Sequence, residues 1–205
     1  MNLQKKLIIF INGCIVAACL VLGIISYFIA DNGFEMALVQ KADSDLRQME
    51  EALNKEYPGD WLKKSDGLYK GTLRVNDNDF QVDYYAKLTG NNVTFFEGAT
   101  RVATSFKDNS GKRVTGTDAS EAVQEAVLKK GETYTGMAEV AGRHYLAAYK
   151  PLKNASGEIV GMLYMGIPTE SLEALQSQFV YTMVGVVVVM LLIFGVVISI
   201  AAKKG

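Results

Sequence analysis

The chain has 205 residues, 49% of them hydrophobic, with a mean hydropathy of +0.12. The apolar residues are concentrated in two blocks of 24 residues without a charged side chain, Leu7–Ala30 and Phe179–Ala202. Each block is long enough to cross a bilayer, which takes about 20 residues. The 148 residues between them, Asp31–Gln178, suffice for one domain with a single core. These numbers exclude a two-domain soluble enzyme, a collagen and a disordered chain.

The formal net charge of -1 conceals an uneven distribution of charged residues. All 22 acidic residues lie between the two apolar blocks, where the net charge is −5, and four lysines flank the outer ends of the blocks. The positive-inside rule then predicts a chain of five parts: residues 1–6 and 203–205 as cytoplasmic tails, 7–30 and 179–202 as transmembrane helices, and 31–178 as a domain outside the plasma or inner membrane. An acidic outer domain also argues against nucleic acid as a partner.

Apolar residues with helical spacing continue beyond the first block. The stripe consists of Val39, Ala42, Leu46, Met49 and Leu53. It predicts a helix that ends at residues 57–59, Tyr-Pro-Gly. A stripe this narrow suits pairing with the same helix of a second subunit, and it equally suits packing on the domain's own sheet. The two uses are compatible, and we expect a homodimer.

Short strand-like runs separated by turn residues follow Trp61. The predicted strands are Leu68–Val75, Val93–Phe96, Arg101–Phe106, Thr133–Val140, Tyr145–Leu152 and Ile159–Ile167. A helix is expected over Gln81–Leu88, and another begins with Asp118 as its cap and ends at Gly131. A last helix opens at Pro168 and leads into the second apolar block. This order predicts an α+β domain with an antiparallel sheet and helices packed on one side.

The residues that support catalysis are scarce. His144 is the single histidine, no Cys or His pair has metal-ligand spacing, and no phosphate loop or nucleophile motif is present. We therefore expect no enzyme, no metal and no cofactor. An anchored hydrolase would need a nucleophile and a base, and the sequence marks no such set.

Ligand binding is better supported, above all by Arg101. Strand alternation would place Arg101, Ala103 and Ser105 on one face, opposite Val102, Thr104 and Phe106. An inward arginine is costly without an anion, and its guanidinium suits a carboxylate. In the alternative interpretation, Arg101 lies at the strand end and pairs with Glu97 or another surface acid.

Further candidate ligand residues lie in the last three strands and in one turn. Tyr134, Tyr145 and Tyr149 could line a polar pocket together with nearby cations, although tyrosines at such spacing also serve as core residues. Arg113 is a weaker candidate because a turn precedes it.

Several motifs follow one another in order along the domain: VTFFEGATRVAT (93–104), GKRVTGT (111–117), VLKKGETYTG (127–136), YKPL (149–152) and GEIVGMLYMG (157–166). Together they resemble the single Cache domain of bacterial methyl-accepting chemotaxis receptors. The resemblance implies a PAS-like antiparallel sheet with a long N-terminal helix, dimerisation along that helix, and a pocket over the sheet for organic acids or amino acids.

The sensor domains of citrate and C4-dicarboxylate sensor kinases are more distantly similar. The first ligand arginine of those domains falls on Arg101, their companion histidine falls near Thr104, and their second arginine near Ala147. This sequence thus has Thr104 and Ala147 near the positions where those domains have a histidine and an arginine. The two differences favour a smaller or less charged ligand.

Receptors of this family continue into a HAMP linker and a methyl-accepting coiled coil, whereas this sequence stops at residues 203–205, Lys-Lys-Gly. We therefore expect a membrane-anchored sensor for chemotaxis or transmembrane signalling without its own output domain, either truncated or acting with a separate signalling partner. The alternative function is a non-sensing structural subunit that works with another membrane protein.

Overall fold

The structure is a computed structural model that describes residues 3–140 and 143–203. Its elements, in chain order, are α1 (Leu3–Glu56), β1 (Trp61–Lys64), β2 (Gly67–Lys70), β3 (Leu73–Arg74), α2 (Asp79–Thr89), β4 (Asn92–Glu97), β5 (Thr100–Thr104), α3 (Glu121–Val123) with a π-helical turn (Gln124–Lys129), β6 (Tyr134–Val140), β7 (Arg143–Lys153), β8 (Ile159–Pro168) and α4 (Glu170–Lys203).

The chain divides into two compact units, residues 36–170 and residues 1–35 with 171–205. Two helical segments, Ile9–Glu56 and Gln176–Val197, are long and apolar enough to cross a membrane. Within the second unit, the rings of Tyr27 and Phe179 pack with their centroids 6.4 Å apart.

Unit 36–170 is built on a five-stranded antiparallel sheet with the strand order β5-β4-β8-β7-β6. A second, three-stranded sheet consists of β1, β2 and β3. The order places β8, the last strand of the chain, at the centre of the larger sheet. The observed architecture confirms the predicted α+β fold with a long N-terminal helix and antiparallel sheets.

One face of the larger sheet, here called the helix face, carries most of the apolar core. The stripe residues Ala42, Leu46, Met49 and Leu53 of α1 are buried in this core together with Phe95, Leu163 and Met165 from the sheet. The apolar stripe of α1 therefore packs on the domain's own sheet. Dimerisation along α1 stays a prediction.

The opposite face is covered by the long connection between β5 and β6. Ala119, Val123 and Val127, from the end of that connection and from α3 with its π-helical turn, are buried against this face. Helical residues thus lie on both faces, whereas one-sided packing was predicted. The connection supplies this second layer, which the strand pattern did not reveal.

Most predicted elements exist, with two differences near the start of the domain. The predicted strand Leu68–Val75 is divided into β2 and β3 at Gly71, where φ is +54° and an added Cβ would lie 2.4 Å from the Pro58 carbonyl oxygen. Only glycine fits this turn. Strand β1 was not predicted, because only Trp61 of its four residues is buried and no alternation is visible.

The predicted capping of α3 by Asp118 is wrong. Ser120 occupies the N-cap position, and its side chain makes no capping hydrogen bond. The Asp118 carboxylate instead accepts a hydrogen bond of 2.7 Å from the Thr100 hydroxyl. The two residues also form an isolated bridge between their backbones. The hydrogen bond from Thr100, which is distant in the chain, thus takes the place of the predicted capping hydrogen bond within α3.

Candidate functional site

A row of hydroxyl side chains crosses the sheet on the face opposite the helix face, here called the tyrosine face. Residues at paired positions of neighbouring strands share a face. The strand register aligns Tyr134, Tyr149, Tyr164, Thr94 and Thr104 across all five strands. The Tyr149 and Tyr164 ring centroids are 4.7 Å apart, and the Thr94 and Thr104 hydroxyls are hydrogen-bonded at 2.6 Å. The result is a continuous polar strip within a buried layer.

Two of these tyrosines are followed by glycine at the second position, in Tyr134-Thr135-Gly136 and Tyr164-Met165-Gly166. An added Cβ on Gly166 would lie 1.9 Å from the Tyr164 hydroxyl oxygen, and one on Gly136 would lie 2.9 Å from that of Tyr134. Because residues i and i+2 share a face of a strand, each glycine leaves room for a ring that lies along the strand. The pattern Tyr-x-Gly is the sequence signal for this arrangement.

Arg101 also lies on the tyrosine face, because β5 contains a bulge. Phe96 pairs with Arg101 and Phe95 pairs with Ala103, so that Val102 is an extra residue on β5. The prediction that Arg101 and Ala103 share a face is wrong, since the extra residue reverses the alternation. Ala103 and Phe95 belong to the core on the helix face, whereas Phe96 belongs to the tyrosine face.

The side chain of Arg101 is buried and only partly hydrogen-bonded. The residue is 7% exposed, and its Nη1 donates to the Val114 carbonyl oxygen at 3.2 Å and to the Thr117 hydroxyl at 2.9 Å. Within residues 3–140 and 143–203, its buried Nε has no hydrogen-bond partner. Burial lowers the pKa of Arg101, and the nearby Tyr149 and Tyr164 oppose this shift. An arginine guanidinium is always protonated in proteins, so Arg101 stays charged.

The surface acid considered as an alternative partner of Arg101 is engaged elsewhere. Glu97 accepts a hydrogen bond of 3.0 Å from the Asn76 amide and lies 3.3 Å from the Lys63 ammonium. In the part of the chain that the structure describes, no carboxylate is paired with Arg101. A buried and unpaired charge is strongly unfavourable, and a carboxylate can compensate it with two parallel hydrogen bonds.

Aromatic rings enclose the guanidinium. We call Arg101 and the rings around it the tyrosine cluster, which consists of Phe96, Arg101, Phe106, Tyr134, Tyr145, Tyr149 and Tyr164. The Phe106 ring centroid lies 5.7 Å from the Arg101 Cζ, 5.6 Å from the Tyr164 centroid and 4.9 Å from the Tyr145 centroid. Phe106 was predicted to lie opposite Arg101, and the bulge explains why that prediction is wrong. Phe96 contributes a second ring, 5.4 Å from the Arg101 Cζ.

The hydroxyls of Tyr149 and Tyr164 remain protonated at neutral pH. Burial raises the pKa of Tyr149 to about 12, and it raises the pKa of Tyr164 well above its ordinary value. The Tyr164 hydroxyl is buried and, among the described residues, has no hydrogen-bond partner. At neutral pH both groups can therefore donate hydrogen bonds to an anion.

Arg113 lies outside the tyrosine cluster. Its Nε is 2.7 Å from the Asp79 carboxylate, its Nη2 is 2.7 Å from the Asp83 carboxylate, and its Nη1 donates to the Thr104 carbonyl oxygen at 2.7 Å. These bonds attach the connection after β5 to α2. Of the predicted site residues, the structure brings Arg101, Tyr134, Tyr145 and Tyr149 together and leaves Arg113 apart.

An open cleft of about 760 Å³ adjoins the cluster, and we call it the α2–β5 cleft. It is lined by Asp83, Ala86, Lys87, Asn92, Ser105, Phe106, Lys107, Asp108, Asn109, Arg143 and Tyr145. Phe106 and Tyr145 belong both to this lining and to the buried cluster.

Sequence reasoning missed Tyr164, Thr94 and Phe106 as members of the site. Tyr164 carries the Tyr-x-Gly signal described above. Thr94 is identified by its register with Tyr164, which requires knowledge of the strand order. Phe106 requires knowledge of the bulge.

The fold and the cluster define a sensor-type α+β domain with a polar layer over its sheet. A family model for single Cache domain 3 matches residues 73–179, more than half of the chain. The chain therefore belongs to the single Cache domain 3 family, a family of ligand-binding signalling domains. No curated protein is significantly similar in sequence.

A solved structure of a chemoreceptor domain shares the fold, and a comparison with a sensor domain gives a lower score. The ligand-binding domain of the Campylobacter jejuni chemoreceptor Tlp3 in complex with 4-methylisoleucine has a TM-score of 0.50 and 18% identity, with 78% of this chain and 62% of that chain covered. The E. coli DcuS sensor domain has a TM-score of 0.36 and 12% identity, with 49% of this chain and 69% of that chain covered. This chain thus spans less than two thirds of that Tlp3 domain.

Proposed function

We propose that this protein is a membrane-anchored sensor whose outer domain, residues 31–178, binds a small organic acid or amino acid through its carboxylate for chemotaxis or transmembrane signalling. The observation that carries the proposal is the buried Arg101 guanidinium with an unpartnered Nε on the tyrosine face. A ligand carboxylate would replace the missing partner, and the protonated hydroxyls of Tyr149 and Tyr164 would donate to its oxygens.

The cluster favours a ligand with one carboxylate. Arg101 is a single cation among the rings of Phe96, Phe106 and Tyr164, and this surrounding suits a short apolar body. Both organic acids and amino acids meet this description. The amino-acid derivative held by the Tlp3 domain supports the second class. Membrane anchoring is supported by the two apolar helical segments.

Thermal unfolding of the full chain in detergent tests the proposal. Acetate, propionate, L-lactate, L-valine and succinate are added separately, and at least one is expected to raise the Tm. Arg101→Met should abolish that increase because it removes the carboxylate partner. Without ligand, Arg101→Met should unfold at the same or a higher temperature, since replacing a buried unpaired charge by an apolar side chain relieves desolvation.

Arg113→Gln is the matched control. Its guanidinium is held by Asp79 and Asp83, so this variant should lower the Tm without ligand and keep the ligand-dependent increase. The proposal fails if none of the five compounds raises the Tm of the wild type. It also fails if the increase persists in Arg101→Met.

A further inference from the structure

The side chains around Arg101 are almost fully buried within residues 3–140 and 143–203. Arg101 is 7% exposed, Tyr149 5%, and Tyr164 0%. A ligand that reaches the guanidinium must therefore displace at least one side chain. The arrangement of the neighbouring rings indicates which one moves.

Phe106 and Tyr145 belong both to this cluster and to the lining of the α2–β5 cleft. Both are nearly fully buried, and their rings pack edge to face with centroids 4.9 Å apart. The Phe106 ring also packs against Arg101 and Tyr164, at 5.7 Å from the Arg101 Cζ and 5.6 Å from the Tyr164 ring centroid. Phe106 is therefore a side chain that contacts the guanidinium and also lines the cleft.

We infer that the α2–β5 cleft is the entrance for the carboxylate ligand, and that Phe106, packed on Tyr145, is the gate that sets the rate and the size of what enters. This inference rests on the proposed function. A gate of this kind changes the energy barrier to ligand binding and release more than it changes the free energy of binding.

The charges on the rim of the cleft suit an anion. Lys87, Lys107 and Arg143 line it together with the carboxylates of Asp83 and Asp108. Asp83 is already paired with Arg113, and Asp108 accepts hydrogen bonds from the backbone N–H groups of residues 110 and 112. The lysines and arginine are therefore the charges available to attract an approaching carboxylate.

The test measures association and dissociation rate constants for the full chain in detergent, from exchange-dependent line widths of the ligand proton signals. The probes are those compounds of the five-member panel that bind in an Arg101-dependent manner. Phe106→Ala should raise both rate constants, the association rate constant about tenfold, because it removes the side chain between the cleft and Arg101. Phe106→Leu should raise both rate constants by a smaller factor. This variant replaces Phe106→Ala in the measurement if the alanine variant does not fold.

Phe95→Leu is the matched control, because Phe95 is equally buried but lies on the helix face. It should leave both rate constants unchanged. Lys107→Gln should lower the association rate constant about threefold at low ionic strength without changing dissociation, whereas Lys112→Gln, in the same connection but outside the cleft, should not.

Unchanged rates in both Phe106 variants would place the entrance elsewhere and overturn the inference, as would equal increases in Phe95→Leu. These results would leave the proposed function standing, provided that Arg101-dependent binding is observed. Absence of any Arg101-dependent binding would refute the proposed function, and the inference with it.

Discussion

Arg101 and Tyr164 each keep a buried polar atom without a partner among the described residues, although both lie in a well-packed layer. A buried unsatisfied group destabilises a protein by roughly 1–3 kcal/mol. Apolar side chains of similar size would stabilise both positions. Because the two orphaned atoms belong to neighbouring side chains on one face, we interpret the loss of stability as the consequence of a site that awaits a ligand.

Tyr164→Phe tests this interpretation directly. Removing the hydroxyl removes an unsatisfied group, so we expect the free energy of unfolding without ligand to rise by about 1 kcal/mol. Affinity for the carboxylate that binds should fall, by about tenfold, because one hydrogen-bond donor is lost. Urea unfolding and calorimetric titration measure the two quantities.

Tyr69→Phe is the control for that experiment. The Tyr69 hydroxyl donates a 2.6 Å hydrogen bond to the Asp66 carboxylate at the surface. Its removal should lower or leave unchanged the free energy of unfolding and leave ligand affinity unchanged. A destabilised Tyr164→Phe protein with unaltered affinity would contradict the interpretation.

Gly161 has a steric role that differs from that of the glycines beside the tyrosines. An added Cβ at Gly161 would lie 2.0 Å from the Phe96 carbonyl oxygen, a backbone atom of the adjacent strand. We expect Gly161→Ala to lower the free energy of unfolding by about 3 kcal/mol or more, because β4 and β8 must separate.

Gly136→Ala provides the comparison for Gly161→Ala. The nearest atom to its added Cβ is the Tyr134 hydroxyl at 2.9 Å, the end of a half-exposed side chain that can move. Its loss of stability should stay below about 1 kcal/mol in the same urea experiment. Equal losses in the two variants would show that the backbone contact is not decisive.

At the scale of elements, the positions of the helices and strands along the chain were predictable, whereas the face of the sheet on which Arg101 lies was not. The alternation of apolar and polar residues, together with turn residues, located β4 to β8. The apolar stripe located the part of α1 that follows the first apolar block. The bulge at Val102 leaves no mark in the sequence, and it decides that Arg101 faces Phe106 rather than Ala103. The partner of Arg113 was equally hidden, because Asp83 is 30 residues away along the chain.

The bond between Arg113 and Asp83 holds the connection after β5 against α2, and it should respond to acid. Arg113 lowers the pKa of Asp83, mainly through their hydrogen bond. A carboxylate with a lowered pKa in the folded state contributes stability above its unfolded pKa of about 3.9. That contribution is lost as the pH falls below about 4 and through the folded value.

The measurement compares wild type with Asp83→Asn. At pH 7 the variant should show several-fold faster amide hydrogen exchange over residues 105–117, because the connection is no longer fixed to α2. The difference in unfolding free energy between the two proteins should disappear below the folded pKa of Asp83. Asp77→Asn, whose carboxylate is 80% exposed, should show neither effect. Slower or unchanged exchange in Asp83→Asn would contradict the assignment.

At the scale of the whole molecule, neighbouring residues of β7 connect the two faces of the sheet. Tyr149 lies in the cluster on the tyrosine face, and the next residue, Lys150, is paired with Glu50 of α1. Asp45 of α1 also accepts a 2.7 Å hydrogen bond from the Asn91 amide. A ligand can shift the equilibrium between two states only if it binds them unequally. If a ligand on the tyrosine face displaced β7, the displacement would therefore alter the contacts of α1.

The arrangement of the chain in the membrane can be tested with single cysteines. Cys14 and Cys19 are replaced by serine, and Ser110→Cys is introduced in an exposed turn of unit 36–170. The positive-inside distribution of lysines predicts that this cysteine reacts with a membrane-impermeant maleimide in intact spheroplasts. Gln4→Cys, in the predicted cytoplasmic tail, should react only after permeabilisation. The opposite pattern would show that the domain faces the cytoplasm, where it could not sense an external solute.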